Sequence, residues 1–300
     1  MTMPPHPPLV IAVSSRALFD LEWENRIFKT KGLEKYRQYQ RAHERTLLKP
    51  GPAFPLVSKL LQMNTILGEK AVEVVIVSRN DADTSLRIFS SIARYELKIE
   101  KAAFTNGAPN HSYLDGFKTS LYLSAHLDDV RSLLKAGFAA AHVMGIPAKR
   151  SKKPDTELRI GFDFDGVLAD DESEKVYQTG KLEAFLRHEE KRQGKPLGPG
   201  PIQTFLKVIG ALRQRAEKKG KKNIRTALFT ARSAPAHNRV IATLRKNGLI
   251  IDETFFLGGR TKAPFVEAFK PDIFFDDQLT HLAKITGVVT AFVPYGVVNC

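Results

Sequence analysis

In the stretch RIGFDFDGVLADD, residues 159 to 171, Asp163 and Asp165 stand one residue apart at the end of an apolar run and are followed at once by Gly166. Desolvating an unpaired carboxylate is expensive, so such a pair needs a partner: a cation, a phosphoryl group, or both. One carboxylate can take a phosphoryl group as an aspartyl-phosphate, which splits one hard displacement into two easier ones. The other can then protonate the leaving alkoxide and later activate water. Alternation along a strand lets Asp163 and Asp165 face one pocket, although Gly166 marks a chain already turning. Three further segments carry residues suited to the same chemistry: Thr230 in ALFTARS (227–233), Lys262 in GGRTKAP (258–264), and Asp276 with Asp277 in IFFDDQ (273–278). Phosphoryl transfer needs charge neutralised on the phosphoryl oxygens. Lys262 and a Mg²⁺ ion held by Asp163 and Asp276 would supply it.

Strands must position these residues. In the C-terminal half, short β-branched or aromatic runs alternate with helical patterns. Strands are predicted at 158–163, 224–230, 253–257, 272–276 and 288–293, and helices near 172–192, 201–218, 235–247, 262–269 and 278–285. Alternating βα units imply parallel strands, right-handed crossovers and helices on both faces, a doubly wound α/β sheet. Ligands bind beyond the carboxyl ends of such strands near the switch point, where the polar residues above accumulate. The stretch from about 170 to 222 exceeds the common connection of about 4–6 residues and is expected to carry a small, mostly helical cap over the site.

The chain also matches itself. Residues 11–36 align without a gap on 160–185 at an offset of 149, and 49–57 align on 198–206 at the same offset. At an offset of 152, 74–89 match 226–241, 99–107 match 251–259, and 121–125 match 273–277. An internal duplication follows, with residues 1–147 as one α/β repeat, 148–157 as a basic linker and 158–300 as the catalytic unit. The first copy lacks the chemistry. Asp163, Asp165, Thr230, Lys262, Asp276 and Asp277 correspond to Ser14, Arg16, Ser78, Asn110, Ser124 and Ala125, so the first repeat is expected to be catalytically silent.

The 300 residues suffice for one large core or two ordinary domains. Hydrophobic residues make up 43% and charged residues 26%, as in soluble globular proteins. No apolar run approaches the roughly 20 residues of a membrane helix, and residues 1–15 do not read as a secretory signal. The single cysteine, Cys300, excludes an intramolecular disulfide and fits a reducing compartment, so a cytoplasmic protein is expected. The net charge of +14 suits either phosphorylated metabolites or a solvated basic surface. Its runs at 148–153 and 217–225 lack interleaved aromatics and look like linkers rather than a nucleic-acid platform. Trp23 and the many phenylalanines are expected in the core, and Arg232, Ser233 and His237 in surface or capping roles.

The DxDG of Asp163–Gly166, a hydroxyl at a second strand end, a lysine and a terminal acidic pair occur in the order seen in the haloacid dehalogenase superfamily, which the chain resembles. A closer resemblance is to the cytosolic 5′-nucleotidase I family. It is carried by LVIAVSSRALFDLEWEN, LKPGPAFPLV, FDFDGVLADDESE, TARSAPAH, FFDDQ and VPYG, and spans nearly the whole chain. The resemblance implies a haloacid dehalogenase-like fold with Asp163 as nucleophile and Asp165 as acid/base. It implies Thr230, Ala231 and Lys262 as phosphate ligands. Asp163, Asp165 through its carbonyl, Asp276 and Asp277 become magnesium ligands, with Asp277 otherwise a support for Asp276 or a helix cap. The expected activity is Mg²⁺-dependent hydrolysis of nucleoside 5′-monophosphates such as AMP and IMP. A phosphatase for sugar phosphates and a non-catalytic nucleotide- or nucleic-acid-binding protein are the alternatives. The expected partner is a small nucleoside monophosphate, with neither nucleic acid nor membrane, and a homo-oligomer is allowed.

Overall fold

The computed structural model describes residues 7–109, 111–145 and 156–299, so most of the predicted linker and Asn110 lie outside the described residues. Aliphatic runs buried on both faces, such as LVIAV in β1 (Leu9–Val13), make the inner strands. The first half continues with β2 (Phe19–Asp20), β3 (Lys49–Pro50), β4 (Val72–Ser78), β5 (Lys101–Phe104), β6 (Leu121–Ser124) and β7 (Ala140–Met144). Its helices are α1 (Ser15–Leu18), α2 (Glu22–Ala42), α3 (Phe54–Leu67), α4 (Leu86–Arg94), α5 (His111–Gly116) and α6 (Leu127–Lys135). The second half holds β8 (Leu158–Phe162), β9 (Ile224–Thr230), β10 (Glu253–Phe256), β11 (Ile273–Asp276) and β12 (Thr290–Phe292). With them go α7 (Glu172–Lys191), α8 (Gln203–Lys218), α9 (His237–Asn247), α10 (Ala263–Phe269) and α11 (Leu279–Leu282). Every strand and helix predicted for the second half is present, with ends shifted by a few residues.

Ten strands form one sheet in the order β10-β9-β8-β11-β12-β7-β6-β1-β4-β5, while β2 and β3 form a separate antiparallel ribbon. The chain is therefore an α/β protein with a large, mostly parallel sheet. Among the described residues of the large sheet, only β12 and β7 pair antiparallel. Outward from that junction the strand order is the same on both sides, with β1 between β6 and β4 and β8 between β11 and β9. Each half thus has its own switch point, β1/β6 and β8/β11, where connections leave in opposite directions and open a crevice.

Side-chain bonds recur at the same offsets. Arg87 Nε donates to the Thr46 carbonyl at 2.9 Å, and Arg239 Nε to the Lys195 carbonyl at 2.8 Å. The Leu48 N–H meets Ser91 Oγ at 3.1 Å, and the Leu197 N–H meets Thr243 Oγ1 at 3.0 Å. Both long helices break, α2 at Gly32 and α7 at Lys181, 149 positions apart.

One apolar cluster runs through both halves, from Ile11 and Val13 to Ile160, Phe162 and Phe275. Helix α3 packs against α8 and β8, and α8 against β1, so each half lends a helix to the other's sheet. This bears on the cap. Within the stretch 170–222, α8 turns Phe205, Leu206, Ile209 and Leu212 into the shared core, which leaves α7 and the turn after it as the segment beside the strand ends. Most phenylalanines are buried, but Trp23 is 55% exposed with the Arg26 guanidinium 5.6 Å from its ring centroid, contrary to its expected core place. It stands in the first turn of α2, on a face that nothing covers among the described residues. No helix of the described residues is long and apolar enough to cross a membrane.

Candidate active site

The backbone of Asp163 donates to the Phe275 carbonyl at 2.8 Å, which ties the end of β8 to β11 at the switch point and brings Asp163 beside Asp276. Both carboxylates are buried. Lys262, at the start of α10, reaches between them: its Nζ lies 2.7 Å from Asp163 Oδ2 and 2.7 Å from Asp276 Oδ2. Lys262 is itself buried, so a surface role in the first turn of a helix does not describe it. Burial pulls its ammonium down, but the two carboxylates outweigh burial and hold it above the usual lysine range. Burial pushes the Asp163 carboxyl up to about 7, with Asp276 and Asp165 adding to the effect against Lys262. At Asp276 burial also pushes upward, yet Lys262 and His281 prevail and hold it below the usual aspartate range. His281 Nδ1 stands 3.2 Å from Asp276 Oδ1, a contact that sequence reasoning missed; its only signal was a histidine five residues past Asp276.

Asp277 is buried and its Oδ1 has no hydrogen-bond partner among the described residues. Burial, then Asp163 and Asp276, push its carboxyl up to about 9. Three carboxylates therefore crowd around one ammonium. Such a surplus of hard oxygen donors fits Mg²⁺, which takes few protein carboxylates and completes its shell with water and substrate oxygens. Asp163, Asp276 and His281 offer ligand atoms within 4.8 Å of one another, and His281 is better placed to orient Asp276 than to bind a hard cation. Gly166 is required here. Its φ is +71°, and a Cβ added to it would lie 2.6 Å from Asp277 Oδ2. Gly166→Ala is expected to cost about 1–3 kcal/mol from backbone strain alone, seen as a lowered urea midpoint, with activity falling as Asp277 is displaced.

Asp165 turns elsewhere. Both its oxygens accept from Arg232, at 2.7 Å from Nη2 and 2.8 Å from Nε. Arg232 is buried, not in the surface or capping role expected of it, and its guanidinium lies over Phe164 and Phe185 at 5.3 and 5.4 Å. Its Nη1 also bonds Glu189 of α7, a fully buried carboxylate that sequence reasoning did not single out. Glu189 further accepts from Arg239 at 2.9 Å and from Ser173 at 2.7 Å, and Arg239 reaches Glu172 at 3.0 Å. This network fastens α7 to the loop after β9. Thr230 closes β9 fully buried, and its Oγ1 accepts the Arg232 N–H at 3.2 Å, while Ala231 is exposed at the turn. Ser233 is exposed, and His237 packs edge-on against Phe256.

Comparison with known proteins shows the family. A model of the 5′-nucleotidase family matches residues 1–300. The human protein named cytosolic 5′-nucleotidase 1B is 37% identical over 303 residues, covering 96% of this chain and 50% of its own length. The chain thus spans about half the length of that curated relative. No solved structure matches the chain.

Proposed function

The chain belongs to the 5′-nucleotidase family, and on that premise we propose that it hydrolyses nucleoside 5′-monophosphates of the AMP and IMP type to nucleoside and phosphate, through an aspartyl-phosphate on Asp163. The observation that carries this reading is the buried convergence of Asp163, Lys262 and Asp276 at the β8/β11 switch point.

In the first step an Asp163 oxygen attacks phosphorus, the bond from phosphorus to the 5′ oxygen breaks, and that oxygen takes its proton from Asp165. Water then attacks phosphorus, Asp165 takes a proton from it, and the bond to Asp163 breaks to release phosphate. For both proton transfers Asp165 has to exchange its paired bonds with Arg232 for bonds to the substrate and water. Lys262 holds Asp163 in place and presents its charge to the phosphoryl oxygens, assisted by Thr230 and the backbone of Ala231. Asp163, Asp276, Asp277 and the Asp165 carbonyl would hold Mg²⁺, which when bound neutralises charge on the phosphoryl group.

The ring of the substrate is assigned to α7, where Tyr177 and Phe185 pack edge to face at 6.2 Å and Tyr177 is 40% exposed. We further read residues 1–147 and 158–300 as copies of one haloacid dehalogenase-like unit, the first catalytically silent. The matched strand orders and the repeated Arg87 and Arg239 bonds support it. The name of the human relative supports a cytosolic 5′-nucleotidase, and a small mononucleotide rather than nucleic acid is the substrate we propose.

The test is phosphate release from AMP, IMP, CMP, deoxynucleotides and sugar phosphates, with Mg²⁺ or with EDTA. Turnover of mononucleotides that stops in EDTA is expected. Folded protein that releases phosphate from none of them, or from sugar phosphates in preference, would contradict the assignment.

A further inference from the structure

We propose that the cavity at the β1/β6 switch point is a second site, one that binds a nucleoside phosphate and does not turn it over. The cavity has a volume of about 380 Å³, within the range of small-molecule pockets. It lies at the same strand ends in the first half as the catalytic cluster does in the second.

Two substitutions account for its being open. Arg232, which spans the second site from Asp165 to Glu189, corresponds to Asn80, and Phe164 beneath it corresponds to Ser15. Both are smaller and both line the cavity. They also leave hydrogen-bonding groups at the floor, where Ser15 Oγ lies 2.8 Å from Ser78 Oγ and 2.8 Å from Asn80 Oδ1. The wall comes from α2. Phe28 and Tyr36 stand edge to face at 5.9 Å, as Tyr177 and Phe185 do 149 positions on, and Phe28 is 47% exposed. A hydrogen-bonding floor below an exposed aromatic wall suits a flat heterocycle carrying a polar group.

One guanidinium donor at the cavity is left for an anion. Glu24, Asp81 and Asp129 line the cavity, but each is already paired, with Arg87, Arg37 and Arg79 respectively. Arg16 is different. Its Nη2 meets the largely exposed Glu22 at the rim and its Nη1 lies 3.1 Å from His126, while its buried Nε has no partner among the described residues. Burial, followed by the charge of Arg16, holds His126 below the usual histidine range, which suits a neutral ring whose Nε2 accepts from Arg16 Nη1. Arg16 stands where Asp165 stands in the other half, and Ser14 and Ser124 where Asp163 and Asp276 stand. Neither a carboxylate nucleophile nor a pair of metal ligands occupies these strand ends, so a phosphate can bind there without being transferred.

The ring-and-phosphate chemistry rests on the nucleotidase reading of the second half, and the test separates the two. Trp23 is the sole tryptophan, so Trp23→Phe with Phe28→Trp places one fluorophore on the cavity wall. Titration with AMP in EDTA, where hydrolysis is expected to stop, should give saturable quenching. Arg16→Ala should weaken it at least about tenfold, the scale of a charge-assisted hydrogen bond, and adenosine should bind more weakly by a similar factor. Asp163→Asn should leave it unchanged. A flat titration of folded protein, equal binding of adenosine and AMP, or loss of the signal in Asp163→Asn would overturn the proposal. If the double variant fails to fold, equilibrium dialysis of labelled AMP with the natural chain decides: Arg16→Ala should remove one bound equivalent that Asp163→Asn retains, and binding unaffected by Arg16→Ala overturns the proposal. Phosphate release is measured on the same protein with Mg²⁺. Turnover with a flat titration sinks only the second site, and saturable quenching without turnover sinks only the hydrolase reading.

Discussion

Asp163→Asn is expected to lower kcat by at least about 10⁴-fold, the scale on which nucleophilic and acid–base groups act as a unit, while the protein stays folded. An amide of nearly the same shape fills the space between the Phe164 N–H and Lys262, keeps an accepting oxygen for one of these two donors, and cannot attack phosphorus. Stability is not expected to fall with activity. Asp163 is buried beside Asp276 and Asp165, and its carboxyl is pushed up to about 7 by burial and those neighbours, so removing its charge relieves repulsion as well as losing attraction to Lys262. Lys262 keeps Asp276 as its partner. Phosphate release and a urea unfolding curve on the same preparation separate the two effects.

Glu189→Ala is expected to have the largest effect on stability, about 3–5 kcal/mol, because it leaves buried charges without their partner. Arg232 and Arg239 are both buried and both bond to this carboxylate. The loss should appear as a lower urea midpoint with an unchanged slope. Glu189→Gln should cost less. Gln40 occupies the matching place in the first half, where its Oε1 accepts from Arg87 at 3.3 Å, so an amide can serve a buried guanidinium at this position. If the alanine and glutamine variants were equally destabilised, the matched-network account of the two halves would be wrong.

The strands and the acidic pair were legible because they depend on local pattern. Runs such as IGFDF and IFFDD carry both the burial that makes a strand and the carboxylates that end it. Lys262 was legible by its place in an ordered set of motifs, though not its burial between two carboxylates. Glu189 and Arg239 were not legible, since Glu189 sits among other charged residues of α7, Arg239 has uncharged immediate neighbours on α9, and each becomes a buried partner only when α7 packs onto α9 and the loop after β9. Arg232 was misjudged for the same reason. Helix α8 looked like part of an insertion by its position in the chain, yet Phe205, Leu206, Ile209 and Leu212 recur at helical spacing and mark the core-facing stripe it presents. Trp23 shows the converse: aromatic character alone does not place a residue inside.

The most direct test of the central claim is to quench the enzyme in acid during turnover of AMP with Mg²⁺ and to determine by mass spectrometry which peptide carries a phosphoryl group. The expected result is a phosphorylated peptide containing Asp163, absent in Asp163→Asn and absent without substrate. Phosphorylation at another residue, or full turnover with no labelled peptide at any quench time, would contradict the assignment of Asp163 as the nucleophile.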